Sequence, residues 1–178
     1  MPPKRCPCQS GRFYERCCEP YLSGEKTAPT AEALMRSRYS AFHEGNLNYL
    51  VATHHPTYRQ DSERKLLERS LRSSHWLHLQ ILSTHRGQRK DKQGSVEFVA
   101  AYRDEADGNL GSSSDRNLGS SAASAVCQLH ERSEFIKENG QWFYTTGEAR
   151  SPFRPKRDQP CWCGSGQAFK RCHEKTQP

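Results

Sequence analysis

The middle region of the chain opens with the apolar periodicity of an α-helix. Met35, Tyr39 and Phe42 are apolar at positions i, i+4 and i+7, which lie on one face of a helix. Thr30 is a suitable N-cap, and Gly45 is a typical residue at a helix C-terminus. The pattern predicts a helix that begins after Thr30 and ends at Gly45.

Two shorter helices are predicted next. Leu47, Leu50 and Val51 form the apolar side of the first, which ends before Pro56 because proline disfavours helical backbone in the residue before it. A polar helix is predicted from about residue 62 to residue 71.

Four strand-like segments follow the helices, at residues 75–85, 95–103, 125–137 and 141–146. The dipeptide Asn139-Gly140 separates the last two and is favoured in two-residue hairpin turns. Helices followed by antiparallel strands indicate an α+β fold. Residues 106–125 are rich in glycine and serine and repeat the sequence Asn-Leu-Gly-Ser-Ser, so they are predicted to be a flexible loop insertion.

The two ends of the chain carry an internal repeat. Residues 6–18 align with residues 161–173 without a gap and share the template C-x-C-x-S-G-x-x-aromatic-x-basic-C-[C/H]. Seven of the eight cysteines lie inside the two copies. In a reducing compartment, such cysteines favour metal or redox chemistry over structural disulfides.

The spacing within the repeat suits four ligands around one metal ion. Cys6 and Cys8, two residues apart in an extended segment, point the same way, and a short helical turn after the Ser-Gly pair returns the second ligand pair. Tyr14 and Phe169 are predicted to pack over the two sites. A segment of about twenty residues buries too little surface to fold alone, so metal binding supplies most of its folding free energy. The two predicted ligand sets are Cys6, Cys8, Cys17 and Cys18, and Cys161, Cys163, Cys172 and His173.

The fourth ligand position separates metal binding from its alternatives. Cys18 aligns with His173, and histidine replaces cysteine as a zinc ligand but cannot close a disulfide. The alternatives are a redox-active dithiol and an iron–sulfur site, and the histidine together with the short C-x-C spacing favours zinc. Two structural zinc ions are therefore predicted.

The template resembles the SEC-C motif, a zinc-binding tail of the translocase ATPase SecA that contacts a chaperone and ribosomes. One copy at each end is similar to the YchJ family of bacterial SEC-C proteins, with further similarity at residues 34–42, 96–100, 130–133 and 142–144. The resemblance implies an NTF2-like middle domain, a cone of N-terminal helices on a curved antiparallel sheet, but no established activity. The implied division is a zinc module at 1–24, the NTF2-like domain at 28–149, a solvated linker at 150–158 and a second zinc module at 159–178.

The formal net charge of +7 is concentrated at the two ends. Residues 1–24 hold four Lys or Arg against two acids, residues 150–178 hold seven against two, and the region between holds sixteen of each. Basic ends of this kind are typical of phosphate binding. They also offset zinc–thiolate clusters, which carry about −2 with four thiolates and about −1 with three and would lower the net charge to about +4.

Glu131 is the main candidate for chemistry in the middle domain. It alternates with Leu129 and Ser133 on one face of a strand, so its carboxyl group is predicted on the concave side of the sheet. Arg36 or Arg38 of the first helix is its predicted partner, either in holding a polar ligand or in a buried ion pair that joins helix to sheet. The candidate cavity residues are Arg36, Arg38, Tyr39 and Glu131.

These patterns predict a cytoplasmic protein with no signal peptide and no membrane span. Both metal sites are coordinatively closed, so zinc is expected to be structural, and an enzymatic role is disfavoured. His54 and His55 lack a second ligand pair and are expected at the surface or half-buried. The predicted role is an adaptor that contacts a protein or ribonucleoprotein partner. The protein is not expected to recognise a DNA sequence. The alternatives are a small-molecule binder or enzyme that uses the cavity, and an RNA or ribosome binder that uses the basic ends.

Overall fold

The computed structural model describes residues 3–104 and 125–174. In this part of the chain, helices come first and a four-stranded antiparallel sheet follows, with its strands in sequence order. The predicted α+β class is therefore confirmed. None of the described helices has both the length and the apolar character that a bilayer crossing requires.

The elements lie close to their predicted positions. The helices are α1 Glu19–Leu22, α2 Ala31–Glu44, α3 Leu47–Ala52 and α4 Glu63–Ser73, and short 3-10 helices span Tyr14–Arg16, Pro56–Tyr58 and Phe169–Arg171. The strands are β1 Ser74–Arg86, β2 Gln93–Asp104, β3 Val126–Glu138 and β4 Gln141–Ala149. The predicted flexible insertion at residues 106–125 lies, apart from its last residue, outside the described residues.

Helix α2 has both of its predicted caps. Thr30 Oγ1 accepts a hydrogen bond from the Ala33 N–H at 3.1 Å, which satisfies one of the donors that a helix start leaves unpaired. Gly45 has a φ of 73°, a left-handed conformation that glycine adopts without steric penalty. The apolar face that carries Met35 and Tyr39 is buried against the sheet.

The sheet is bent by bulges. The register between β1 and β2 shifts at Trp76/His78 and again at Ile81/Ser83, and bulges of this kind bend a strand and increase its twist. The turn between β3 and β4 is the predicted hairpin, because Asn139 and Gly140 have φ values of 48° and 82°, as a type I′ turn requires.

Strand β2 is buried on both faces by different parts of the chain. Phe98 and Ala100 pack in the core formed with α2, whereas Val99 and Ala101 pack in a second core. Trp162 of the C-terminal repeat belongs to that second core. The sheet therefore lies between the helices on one side and the C-terminal module on the other.

The N-terminal module packs on α2. Cys6, Cys8 and Cys18 belong to the same apolar core as Tyr39, and Lys4 Nζ lies 2.7 Å from a carboxylate oxygen of Glu44 at the end of α2. The first cysteine cluster is thus continuous with the core of the middle domain, and the two depend on each other for burial of apolar surface.

The predicted linker at residues 150–158 is mostly exposed and makes hydrogen bonds to β3. The Phe153 N–H donates to Gln128 Oε1 at 2.6 Å, and Gln128 Nε2 donates to the Phe153 carbonyl at 3.2 Å. His130 Nδ1 lies 2.6 Å from the Ser151 carbonyl oxygen, and the His130 ring packs against the Phe153 ring. These contacts hold the segment along β3, so it positions the second module on the sheet.

Candidate metal centres and a central cavity

The four cysteines of the first repeat converge. The sulfur atoms of Cys6, Cys8, Cys17 and Cys18 all lie within 4.8 Å of one another. Sγ of Cys17 is 3.6 Å from that of Cys8 and 3.9 Å from that of Cys18. Tetrahedral zinc with bonds of about 2.3 Å to sulfur places two sulfurs about 3.8 Å apart. The cluster can therefore hold a tetrahedral metal ion.

A tight backbone turn builds this site. The Cys6 N–H donates to the Arg12 carbonyl at 2.9 Å, and between them Gln9 and Gly11 have φ values of 59° and 77°. The 3-10 helix Tyr14–Arg16 then returns the chain to the cluster, as the sequence predicted. Ser10 Oγ lies 3.1 Å from Cys17 Sγ, where a hydroxyl donor supports a thiolate ligand.

Burial and mutual contact shift the pKa values of the cysteines in the first cluster in opposite directions. Cys8 and Cys18 are 0% and 1% exposed. The neighbouring Cys18 thiol lowers the pKa of Cys8, whereas the hydrogen-bonded contacts with Cys6 and Cys8, together with burial, raise the pKa of Cys18. Full ionisation of four adjacent thiols needs a compensating positive charge, which a divalent metal ion supplies.

The second repeat forms the same kind of cluster with one histidine. The ligand atoms of Cys161, Cys163, Cys172 and His173 also lie within 4.8 Å of one another. His173 Nδ1 is 3.3 Å from Cys161 Sγ and 3.1 Å from Cys172 Sγ. Burial lowers the pKa of His173 from its ordinary 6.5, which favours the neutral imidazole that binds a metal.

The same backbone hydrogen bond occurs within each of the two modules. The Cys161 N–H donates to the Gln167 carbonyl at 2.8 Å, the counterpart of the bond from Cys6 to Arg12. In both copies a 3-10 helix precedes the last ligand pair, and Phe169 is buried in the second core as predicted. The repeat in the sequence is therefore a repeat in the structure.

Gly164 lies where the second module meets the sheet. Its φ is 78°, and a Cβ atom at this position would lie 2.6 Å from Cγ of His78 on β1. A Cβ atom essentially never lies this close to a non-bonded atom, so the packing of residue 164 against His78 requires glycine.

Two basic side chains at the second module form ion pairs with acidic residues there. Arg157 Nε lies 2.8 Å from a Glu174 carboxylate oxygen, and Lys170 forms an ion pair with Asp158. The Lys170 ammonium group lowers the pKa of Asp158. These two basic side chains are therefore less available for phosphate groups than the residue counts suggested.

Arg36 lies outside the cavity and contacts the first cysteine cluster. Its Nε lies 2.8 Å from a Glu32 carboxylate oxygen, and its Nη1 donates to the Cys8 carbonyl at 2.9 Å. Arg36 and Arg38 are two residues apart, which is a rotation of about 200° around a helix axis. Only Arg38 therefore faces the sheet. Of the two arginines predicted as partners of Glu131, Arg38 is the one that lines the same cavity.

A cavity of about 410 Å³ lies between α2, α4 and the sheet, and Arg38, Tyr39 and Glu131 line it. This volume is within the usual range for small-molecule sites, about 300–1,000 Å³. Most of the wall is apolar, including Phe42 and Trp76. Three of the four predicted cavity residues thus lie together in one pocket.

Arg38 is a buried cation held by the backbone. It is 5% exposed, and its Nη1 donates to the Leu50 carbonyl and to Thr53 Oγ1, both at 2.7 Å. Burial lowers the pKa of Arg38, and the guanidinium lies 4.7 Å from the centre of the Tyr144 ring. Among the described residues, no ion pair within 4.0 Å joins Arg38 to Glu131, so the predicted buried ion pair between helix and sheet is absent.

Glu131 lies across the same cavity. Its Oε1 accepts a hydrogen bond from Ser133 Oγ at 2.6 Å. Gly147 of the neighbouring strand leaves room for this carboxylate, because a Cβ atom there would lie 2.3 Å from Glu131 Oε1. A glycine in this strand position therefore sets where the carboxylate can lie.

Two residues that line the cavity each carry a buried hydrogen-bonding group without a partner among the described residues. The Tyr39 hydroxyl and the Trp76 indole N–H are both buried and make no hydrogen bond among the described residues. Tyr39 is 2% exposed and Trp76 is 9% exposed. Tyr39 was predicted by its place on the helix face, whereas an aromatic residue in a strand, such as Trp76, is ordinarily a core residue.

His54 is a wall residue that sequence reasoning missed. It is 8% exposed rather than at the surface, its Nδ1 contacts a Glu63 carboxylate oxygen, and its Nε2 lies 3.0 Å from the Thr145 carbonyl oxygen. Its partners are 9 and 91 residues away in the chain. No local pattern connects such distant residues, so no signal in the sequence identifies this group.

Comparison with protein families places this chain among known sequences. The family description "YchJ, middle NTF2-like domain" matches residues 30–147, and the SEC-C motif matches residues 159–175. The chain belongs to the YchJ-like family. The NTF2-like fold of the middle domain is therefore confirmed, and the second module of this YchJ-like protein is a SEC-C motif. The first module shares the template and the backbone of the second.

Relatives of the YchJ-like chain match along nearly its whole length. A UPF0225 protein of Geobacter sulfurreducens is 36% identical over 172 residues, covering 94% of this chain and 96% of the relative. A UPF0225 protein of Pectobacterium carotovorum is 38% identical over 167 residues, with the same coverage of 94% and 96%.

Two solved structures of SEC-C motif containing proteins are also similar. The solution structure from Rhodopseudomonas palustris has a TM-score of 0.66 at 32% identity and covers 82% of this chain and 98% of that chain. The crystal structure from Psychrobacter arcticus has a TM-score of 0.58 at 27% identity and covers 97% of this chain and 96% of that chain.

Proposed function

We propose that this YchJ-like protein binds a small organic molecule in the cavity between α2, α4 and the sheet. In this proposal the two terminal modules are structural, and each holds one zinc ion. The adaptor role predicted from the sequence becomes the second candidate, because both modules pack against the middle domain and do not extend from it as separate units.

The observation that carries this proposal is the cavity itself. Its volume of about 410 Å³ lies in the range of small-molecule sites, and its wall is mostly apolar with a few polar groups, as in most such sites. Arg38 and Glu131 are the polar groups that can orient an occupant, because both line the cavity and no ion pair joins them among the described residues.

The chemistry of the donor sets supports zinc at both ends. Four cysteines, or three cysteines and a histidine, at tetrahedral spacing are typical of structural zinc sites. Such a site has no open coordination position, so it stabilises the chain and does not activate water. Every described cysteine is a free thiol, and we propose the cytoplasm as the compartment because thiols stay reduced there.

A fluorescent probe tests the cavity directly. We expect the neutral apolar dye N-phenyl-1-naphthylamine to bind the purified full chain with one saturable site and a rise in fluorescence, because most of the cavity wall is apolar. The variant Ser70→Trp places an indole in the cavity wall from α4 and is expected to lower the dye affinity at least tenfold.

The matched control for this test is Arg72→Trp. Arg72 is an exposed residue of the same helix and does not line the cavity, so the same new side chain is added where it blocks nothing. Equal dye binding by both variants, or no saturable binding by the unmodified protein, contradicts the proposed function.

The adaptor role is supported by one exposed apolar side chain. Phe13, at the tip of the first module, is 37% exposed, and the Arg5 guanidinium lies 4.7 Å from the centre of its ring. An exposed aromatic residue next to arginine is a common anchor in protein interfaces. The adaptor partner would be a protein or a ribonucleoprotein.

Affinity capture with point variants tests this second candidate. We expect Phe13→Ser to lose a partner that the unmodified chain retains, whereas Tyr58→Ser, which removes another exposed aromatic residue outside the modules, keeps it. Retention by both variants contradicts the adaptor role. A partner that dissociates steeply with rising salt and contains RNA supports the ribosome or RNA alternative instead.

A further inference from the structure

Two opposite charges line the cavity without pairing to each other. All described hydrogen bonds of the Arg38 guanidinium come from Nη1, so its Nη2 and Nε groups remain available. The described hydrogen bond of Glu131 reaches Oε1, so its Oε2 remains available. A charge in a mostly apolar environment is costly unless a partner compensates it.

The other charged groups on the wall compensate each other. His54 Nε2 faces the Thr145 carbonyl oxygen, which only accepts hydrogen bonds, so this nitrogen carries a hydrogen. His54 Nδ1 contacts the Glu63 carboxylate, so these two groups are each other's partners on the wall. Arg38 and Glu131 therefore set the charge pattern of the cavity, and their sum is zero.

The rest of the wall is mostly apolar. A carboxylate forms charge-assisted hydrogen bonds with an arginine, so the available Nη2 and Nε groups of Arg38 suit a ligand carboxylate. Phe42, Phe98 and Leu129 supply an apolar surface for a hydrocarbon or aromatic body.

On the basis of the ligand binding proposed above, we propose that the cavity takes a zwitterion, namely a free amino acid or a close analogue with a large apolar side chain. Its carboxylate contacts Arg38, and its ammonium group contacts Glu131. A ligand with both charges compensates both side chains, whereas a ligand with a single charge leaves one of them uncompensated.

Ligands that differ only in charge test this inference. The probes are L-phenylalanine, phenethylamine and 3-phenylpropionate, which share one aromatic body. L-phenylalanine carries both charges, phenethylamine only the positive charge and 3-phenylpropionate only the negative charge. L-leucine, 3-methylbutylamine and 4-methylpentanoate repeat the comparison with a smaller body. We expect calorimetric titration of the full chain to show at least tenfold tighter binding of a zwitterion than of either of its analogues.

Variants then assign each charge to its residue. We expect Glu131→Gln to reduce the preference for L-phenylalanine over 3-phenylpropionate to less than threefold while the preference over phenethylamine persists. Glu134→Gln is the matched control, because it makes the same change on the exposed face of the same strand and is expected to leave both preferences unchanged.

The outcomes separate this inference from the proposed function. If the naphthylamine dye binds in the cavity but neither zwitterion is preferred over its analogues, the ligand class is wrong and small-molecule binding stands. If neither the dye nor any amino acid binds, both proposals are wrong. An unchanged preference in Glu131→Gln overturns the assignment of the ammonium group to Glu131, even if the zwitterion binds tightly.

Discussion

Removal of the bound metal is expected to unfold both terminal modules and to destabilise the middle domain. Structural zinc contributes about 10–16 kcal/mol in zinc-finger peptides, far more than a module of about twenty residues gains from apolar burial. Cys6, Cys8 and Cys18 are part of the main core, so loss of the first metal also exposes the face of α2 that they cover. Native mass spectrometry is expected to show two zinc ions before chelation, and the thermal midpoint is expected to fall sharply afterwards.

Single ligand variants give the matching result for each site. We expect Cys8→Ser and Cys163→Ser each to retain one zinc ion, because each removes one ligand from a different cluster. Cys127→Ser is the control, since Cys127 is the one cysteine outside both clusters, and it is expected to retain two.

A different zinc count contradicts the metal assignment. An unmodified chain that binds fewer than two zinc ions, or a Cys127→Ser chain that loses one, shows that the two clusters are not the sites. Oxidation to disulfides in place of metal binding would show as a loss of two mass units per bond in the same spectra, and His173 leaves the second cluster with only three cysteines.

The variant Gly164→Ala is expected to detach the second module from the sheet. Positive φ costs about 1–2 kcal/mol for a residue with a side chain. At Gly164 the new methyl group also meets the His78 ring, and overpacking of this kind costs about 1–3 kcal/mol more. We expect faster amide hydrogen exchange in β2 and greater exposure of Trp162, whose ring packs on the outer face of that strand.

The matched control for detachment is Gly166→Ala. Gly166 has a φ of 75°, close to that of Gly164, but a Cβ atom there has no neighbour within 4 Å. Both variants are expected to keep two zinc ions, and only Gly164→Ala is expected to detach the module. Adding His78→Ala to Gly164→Ala is expected to restore packing, which a double-mutant cycle measures as a favourable coupling. Equal effects of the two glycine variants would show that backbone strain, and not contact with His78, decides the result.

The residue pattern alone predicted the parts of the fold that depend on local geometry. Thr30 and Gly45 act within one turn of the helix they cap, and Asn139-Gly140 determines a hairpin by its own backbone angles. The repeat defined both candidate ligand sets in the same way, since the ligands of each set lie within thirteen residues of chain and their spacing follows from a short turn. Local preferences and short spacings are visible in a sequence because neighbours along the chain are also neighbours in space.

The placement of the modules and the choice of cavity residues depended instead on contacts between distant segments. Arg36 and Arg38 are nearly adjacent in the chain, yet Arg36 contacts the first cysteine cluster and Arg38 lines the cavity, because the helix turns them to different sides. His54 contacts Glu63 and Thr145, which are 9 and 91 positions away in the chain. Residue 164 must be glycine because it packs against His78 on β1. No periodic pattern records such contacts, since they arise only when the helices, the sheet and the two modules pack together and exclude water from their shared surfaces.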